Sequence, residues 1–294
     1  MRKFSYLTPR SLDEAISLME SYGERARYVA GGTDVLVKIK EGKLRPEYLV
    51  SLRRIPSMDR IWCEQGPSGE LRIGALATHR ALECSATIRW HYPILHDAVS
   101  NIGSVQIRNV ATIGGNLVNA VPSADGAIPL VTLDAQVRLQ GPKGARQMEL
   151  LHFFMGPGQT VLDRGEVLTE IIVPPLAPRT GSAYIKFGRR EAMELPLLGV
   201  GVLLSLDQEM RRCLKARIGL GVAAPTPMRA HEAEAFLEGR DLDEATLREA
   251  GRIAAEESRV RDSVRGAAWY RREMVKVLVC RMGLRCLERA RAPH

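Results

Sequence analysis

The 294-residue sequence predicts an α+β protein with an internal boundary, and three observations carry that prediction. Two Gly-Gly pairs, in Tyr28-Val29-Ala30-Gly31-Gly32-Thr33-Asp34-Val35 and in Thr112-Ile113-Gly114-Gly115-Asn116, are bracketed by β-branched residues and threonine. Residues 174–181 carry three prolines and a glycine, which breaks the pattern and marks the boundary. Beyond it, three strand-like runs precede three helical ones, the layout of a small antiparallel three-stranded sheet with helices on one side.

Ser11-Leu12-Asp13-Glu14 reads as a capping box. Leu12, Ala15, Ile16 and Met19 then give one apolar helix face, which Gly23 ends. Residues 27–30 read as a strand entering the first Gly-Gly pair, and Val35, Leu36 and Ile39 resume helical spacing. Free N–H groups at such a helix start favour negative charge. Residues 47–52 and 71–76 read as strands, and Thr78 as the N-cap of a helix reaching Cys84. His79 in that first turn reads as a surface or capping histidine. Pro93 opens a helix towards Ile102. After the second pair come a short apolar helix over 127–133, a hairpin of 137–139 with 148–150, and a strand over 166–173. The C-terminal strands are expected at 183–187, 199–206 and 214–220, the helices at 228–237, 242–257 and 269–287. The last helix has Met274, Val277, Leu278 and Leu284 available for a buried face.

Composition narrows the function classes. The formal charge of +8 comes from scattered residues, mostly arginine, with no basic run and no nucleic-acid motif. No apolar run is long enough for a membrane span, and the N-terminus has no apolar signal core. The five cysteines are far apart and form no Cys-x-x-Cys, which argues against a zinc ribbon or iron–sulfur cluster and fits a reducing cytoplasm.

The glycine pairs carry the chemistry. Glycine can take φ > 0 and lets a ligand approach the backbone. Successive N–H groups in such a turn can cradle an anion, and Thr112 and Asn116 add side-chain donors. One pair alone reads better as a tight connection at a strand end; two suit a pyrophosphate. Neither fits the three-glycine dinucleotide fingerprint, and no phosphate loop ending in Gly-Lys-Ser/Thr is present. No nucleophile elbow, paired catalytic carboxylates or metal motif is found, so no catalytic or metal residue is assigned. A cofactor then carries the reaction, and the chain binds and orients it.

Ala30-Gly31-Gly32-Thr33-Asp34 with Ile107-Arg108-Asn109-Val110-Ala111-Thr112-Ile113-Gly114-Gly115-Asn116 resembles the FAD-binding subunit of the molybdenum hydroxylases, a family including medium subunits of aerobic carbon monoxide and xanthine dehydrogenases. The resemblance continues through Gly156-Pro157-Gly158-Gln159-Thr160, the segments 184–190 and 221–229, and 262–274. It implies a two-subdomain FAD-binding region of the vanillyl-alcohol-oxidase/PCMH type over 1–176 (subdomains 1–57 and 58–176) and a C-terminal flavoprotein domain over 177–294. It also implies FAD contacts from Tyr28, Val29, Ala30, Gly31, Gly32, Thr33, Asp34 and Val35, from Thr112, Ile113, Gly114, Gly115 and Asn116, and from Ile102, Asp125, Leu168 and Lys186.

By the same resemblance, electrons arrive from 2Fe–2S clusters on a small partner subunit, and a large partner holds the molybdenum cofactor. The assembly would be a dimer of heterotrimers, and the flavin would pass electrons to an external acceptor. Leu195 stands where carbon monoxide dehydrogenase-like subunits tend to carry a tyrosine, which argues against carbon monoxide as substrate. The cysteine-bearing insertion of the 4-hydroxybenzoyl-CoA reductase flavin subunit is missing, so no 4Fe–4S cluster is expected. Plain readings stay open beside these. Asp125 could cap the helix after Gly126, Leu168 could be core, and Lys186 could be a solvated strand residue. Trp269 and Tyr270 read as packing or subunit-contact residues. A stand-alone flavin oxidase or a non-catalytic scaffold subunit are the alternative functions.

Overall fold

The Ser11 hydroxyl accepts from the Glu14 N–H at 3.1 Å, as a capping box requires, and the Glu14 carboxylate reaches back to the Arg10 N–H at 2.8 Å. This opens α1 (Leu12–Tyr22), which buries Ala15, Ile16 and Met19 and ends at Gly23 with φ 54°. The computed structural model describes residues 3–64, 69–190 and 192–292. Around α1 lies a parallel sheet of β1 (Ser5–Leu7), β2 (Ala26–Val29) and β3 (Tyr48–Ser51), ordered β1-β3-β2. The first Gly-Gly pair joins β2 to α2 (Val35–Lys40), giving the expected strand, glycine turn and helix start.

The next sheet is antiparallel, ordered β4-β5-β10-β6-β7. Its strands are β4 (Ile61–Cys63), β5 (Leu71–Gly74), the hairpin β6 (Gln136–Gly141) and β7 (Gly144–Glu149), and β10 (Val167–Val173). A small ribbon of β8 (Phe154–Gly156) and β9 (Gln159–Thr160) precedes β10. Six short helices lie between β5 and β6: α3 (His79–Cys84), α4 (Ala86–His91), α5 (Pro93–Val99), α6 (Val105–Arg108), α7 (Ile113–Val118) and α8 (Ala127–Thr132). Thr78 caps α3 as expected, accepting from the Ala81 N–H at 3.1 Å. The helix from Pro93 stops at Val99, short of Ile102. There the Ser100 hydroxyl and Asn101 amide donate to the His96 and Asp97 carbonyls, competing with the next helical bonds.

The C-terminal sheet consists of β11 (Thr180–Phe187), β12 (Leu198–Leu206), β13 (Cys213–Gly221) and β14 (Met228–Arg229), all antiparallel. Three strands were expected; the fourth takes residues assigned by sequence to the next helix. Met228 pairs with Leu220 and Arg229 with Gly219, which takes both residues into the sheet, and α9 (His231–Leu237) starts later. It is followed by α10 (Glu244–Glu257) and α11 (Ala268–Arg291). The buried seam of α11 runs through Val275, Leu278, Val279, Met282 and Cys286, while Val277 is exposed and Met274 and Leu284 are half-buried. Packing by α10 sets that seam: Gly251 lies against the Lys276 carbonyl, and Gly283 against Leu247.

Strand β12 is buried along its whole length and serves two cores. Leu198, Val200, Val202 and Leu204 join the core with the C-terminal helices, whereas Leu203 joins the core of the N-terminal region. On the latter face, Gly201 and Gly219 leave room for Thr132 and Ile128 of α8. Three aspartates also tie the two regions together. Asp97 accepts from Arg289 Nη1 at 2.7 Å, Asp134 from Lys215 at 2.8 Å and Arg229 at 2.6 Å, and Asp125 from Lys186 at 2.8 Å.

Candidate functional site

A cavity of about 850 Å³ runs between the first Gly-Gly turn, the start of α7, β10 and the C-terminal residues Lys186, Met193 and Leu195. That volume lies within the usual range for ligand sites, roughly 300–1,000 Å³. Of the residues expected at the site, the cavity brings together Tyr28, Ala30, Gly31, Gly32, Thr33, Asp34, Val35, Ile102, Thr112, Gly114, Gly115, Asn116, Asp125, Leu168 and Lys186. Val29 and Ile113 do not line it. Val29 alternates to the other face of β2 and packs with Ile39 and Leu49, and Ile113 is fully buried in the main core.

The two glycine pairs do different things, which corrects the expectation of two equivalent cradles. In the first, Gly32 has φ +80°, and a Cβ on Gly31 would collide with the Val110 carbonyl. The N–H groups of Gly31, Gly32, Thr33 and Asp34 have no hydrogen-bond acceptor among the described residues. They leave four free donors in the turn at the start of α2. The second pair is no left-handed turn: Gly114 and Gly115 lie inside α7, and neither has positive φ. Its N–H groups are already used. Ile113 donates to the Ala77 carbonyl at 3.0 Å, Gly114 to Ala75 at 2.9 Å, Gly115 to Thr112 Oγ1 at 3.1 Å, and Asn116 to Thr112 O at 3.0 Å. Gly114 is glycine because a Cβ would lie 2.6 Å from that of Ala75. The second pair is therefore close-packed and, in contrast to the first, offers no free backbone N–H among these four residues.

Side chains stitch the two segments together across the cavity. Asn119 donates to Asp34 Oδ1 at 2.8 Å and accepts from Lys38 Nζ at 2.7 Å. At the other end Asp125, 6% exposed, accepts from the Tyr184 hydroxyl and from Lys186 Nζ, each at 2.8 Å. Burial lifts the Asp125 carboxyl above its ordinary value against the pull of Lys186 and Tyr184. Burial also holds the Tyr184 phenol well above its usual range, with the Asp125 charge adding to the effect. Helix α8 takes no side-chain cap, so the capping alternative for Asp125 is not realised. Lys186 is no solvated strand residue; it bonds both Asp125 and the Asn101 carbonyl. Ile102 and Leu168 add apolar wall, and Met193 and Leu195, both exposed, lie at the mouth.

His79 was missed as a cavity residue. It is 1% exposed, lines the cavity and leaves Nδ1 without a partner. Burial, with the Arg108 charge nearby, lowers its pKa to about 4. The sequence signal available was the apolar stretch Ala75-Leu76-Ala77 just before it, which places the first turn of α3 against the core.

Residues 2–176 match the family described as the FAD binding domain in molybdopterin dehydrogenase, and residues 182–286 match the CO dehydrogenase flavoprotein C-terminal domain. The fold and the cleft thus define a flavoprotein subunit of an oxidoreductase. More particularly, the chain belongs to the FAD-binding medium subunits of the molybdenum hydroxylase family, and FAD is its cofactor. It is 34% identical over 289 residues to the carbon monoxide dehydrogenase medium chain of Afipia carboxidovorans, covering 98% of this chain and 97% of that one. It is 32% identical over 275 residues to the xanthine dehydrogenase FAD-binding subunit of Escherichia coli, covering 93% and 92%. The reconstituted CO dehydrogenase from Oligotropha carboxidovorans superposes with a TM-score of 0.92 at 33% identity over 98% and 99% of the two chains. The residues present fit FAD: the N–H groups of Gly31 to Asp34 are unpartnered on a turn that lines the cavity, and Gly31 packs so closely on the Val110 carbonyl that a β-carbon would displace that turn. No helix of the described residues is long and apolar enough to cross a membrane.

Proposed function

We propose that this chain is the electron-relay subunit of a heteromeric molybdenum hydroxylase, taking electrons from 2Fe–2S clusters on a small partner and passing them to an external acceptor. A large partner would hold the molybdenum cofactor, in a cytoplasmic dimer of heterotrimers. One observation carries the reading: four unsatisfied N–H groups at Gly31–Asp34 open onto a cavity that ends at a buried Lys186–Asp125 pair. Bound FAD supplies the redox chemistry, accepting and releasing electrons. The chain's own residues hold it. Gly31, Gly32, Thr33 and Asp34 donate to the diphosphate. Thr112 and Asn116 close the opposite wall with their side chains. Asp125 and Lys186 serve the hydroxyl and ring end, and Ile102 and Leu168 exclude water from the ring. The exposed Trp269, with Tyr270 beside it at a ring separation of 5.7 Å, belongs to the residue types that anchor partner proteins.

The FAD-binding region is taken as 1–176, with subdomains 1–57 and 58–176, and the second domain as 177–294. The test is the visible spectrum of the purified full chain with acid release of its chromophore, then co-purification with its partners. Released FAD together with a large and a small partner is the expected result. Flavin without partners would point to a stand-alone flavoenzyme. A chain that neither carries nor takes up FAD would overturn the reading.

A further inference from the structure

His79 opens α3 beside the start of α7. Its N–H donates to the Ala111 carbonyl at 3.0 Å, and Thr78 bridges to Thr112. His79 is among the residues that line the cavity, yet its Nδ1 is buried with no partner. An unsatisfied buried polar atom costs about 1–3 kcal/mol, so its retention asks for a reason. Arg108, itself 8% exposed, acts on the ring through its charge. It holds Glu83 through two bonds, of 2.9 and 3.2 Å, and donates to the Ile102 carbonyl at 3.1 Å. A fixed cation there disfavours a second one, so His79 carries a single ring proton. A buried N–H without a partner is rarer than an acceptor without one. The proton therefore sits on Nε2, leaving Nδ1 as the acceptor. An acceptor needs a donor, which a sugar or ribityl hydroxyl provides and an ionised phosphate oxygen does not. A half-turn of the ring about its outer torsion carries Nδ1 to the other side of the ring with little change of shape.

We infer that His79 is a positioning residue for the bound dinucleotide, its unprotonated ring nitrogen accepting a hydrogen bond from a cofactor hydroxyl once the cavity is filled. This rests on the reading that the cavity holds FAD. It assigns the orphaned nitrogen to the ligand rather than to the fold, and that gives opposite signs to two measurements. His79→Phe keeps an aromatic shape without the nitrogen.

The experiment uses the full chain stripped of flavin and titrated with FAD by fluorescence, alongside thermal unfolding of the ligand-free protein. His79→Phe is expected to bind FAD about 10-fold more weakly. Ligand-free, it should unfold no lower than the unsubstituted protein, because the orphaned atom is gone. His79→Asn, which restores an acceptor near the position of Nδ1, should recover most of the affinity. FAD binding by His79→Phe equal to that of the unsubstituted chain would overturn the inference and leave the FAD reading intact. A ligand-free His79→Phe that unfolds earlier, with no recovery by His79→Asn, would mark the residue as packing only and also overturn it. An unsubstituted chain that takes up no FAD would overturn the FAD reading itself, and the inference with it.

Discussion

Lys186 Nζ lies 2.8 Å from Asp125 Oδ2, and the pair joins a C-terminal strand to the N-terminal region at one end of the cavity. Both side chains are nearly buried, and the second carboxylate oxygen is held by the Tyr184 hydroxyl. Breaking such a pair from one side leaves an uncompensated charge, which costs about 3–5 kcal/mol. Asp125→Ala should therefore lower the unfolding midpoint sharply, and the variant should purify with little flavin. Lys186→Met removes the other charge but fills the space, and it should destabilise less. Equal midpoints for both variants in thermal unfolding would contradict this account of the pair.

The glycine pairs separate by what each lacks. At Gly31 a β-carbon meets the Val110 carbonyl, and the turn carries the free N–H groups. Gly31→Ala should abolish flavin retention and destabilise the chain. At Gly115 a β-carbon meets only Thr112 Oγ1, at 2.9 Å, and the N–H is already committed. Gly115→Ala should keep most of the bound flavin, at a cost of about 1 kcal/mol from the strained cap. Flavin-to-protein absorbance ratios of the two purified variants decide the matter; matching losses would restore two equivalent cradles.

This contrast also shows where the sequence stopped being legible. A Gly-Gly pair announces either a left-handed backbone or a missing side chain, and local sequence does not say which. At Gly32 it is the first, with φ +80°. At Gly114 it is the second, and the reason is Ala75, a partner brought near only by the fold. Helix α1 was readable because its cap and apolar stripe are local. The seam of α11 was not, because Gly251 and Leu247 of α10 select it. The N-cap role of Thr78 was readable, but the burial of the next residue, His79, depends on α7 and Arg108. The set of cavity residues was mostly legible through resemblance, since its motifs are contiguous. Val29 and Ile113 were swept in as motif members whose side chains point into cores.

Acid should loosen the joint between the two regions through Asp134. Its carboxylate takes Lys215 and Arg229, and these bonds hold its pKa down at about 2 against the cost of burial. The folded value is lower than the unfolded one, so the contribution is full above about pH 4 and is lost as pH falls towards 2. Because the side chain is a third exposed, about 1–2 kcal/mol is expected after allowing for solvent screening. Asp134→Asn should flatten the stability profile between pH 4 and 2 and lower it above that window. Denaturant midpoints measured across this range check the sign; a variant profile parallel to the original would refute it.

Arg271 links the C-terminal helix to the cavity mouth. It is 2% exposed, and the hydrogen-bond partners of its guanidinium among the described residues are backbone carbonyls and a serine hydroxyl rather than a carboxylate. Its guanidinium instead donates to the Leu197 carbonyl at 3.0 Å and to Ser263 Oγ at 2.5 Å, and burial with nearby Arg265 and Arg261 pulls its pKa down. A charge kept under these terms serves geometry: the planar fork fixes the Leu197 backbone, two residues beyond Leu195 at the mouth. Lysine cannot reproduce that fork, having one nitrogen where arginine has three. Arg271→Lys should therefore lower the unfolding midpoint and also speed flavin release from the full chain, since the mouth loses its anchor. Arg271→Met should remove the buried charge, recovering part of the stability but none of the slow release. Flavin dissociation followed by fluorescence separates the two effects. Release rates unchanged in both variants would show that Leu197 is held by packing against Gly266 rather than by the arginine.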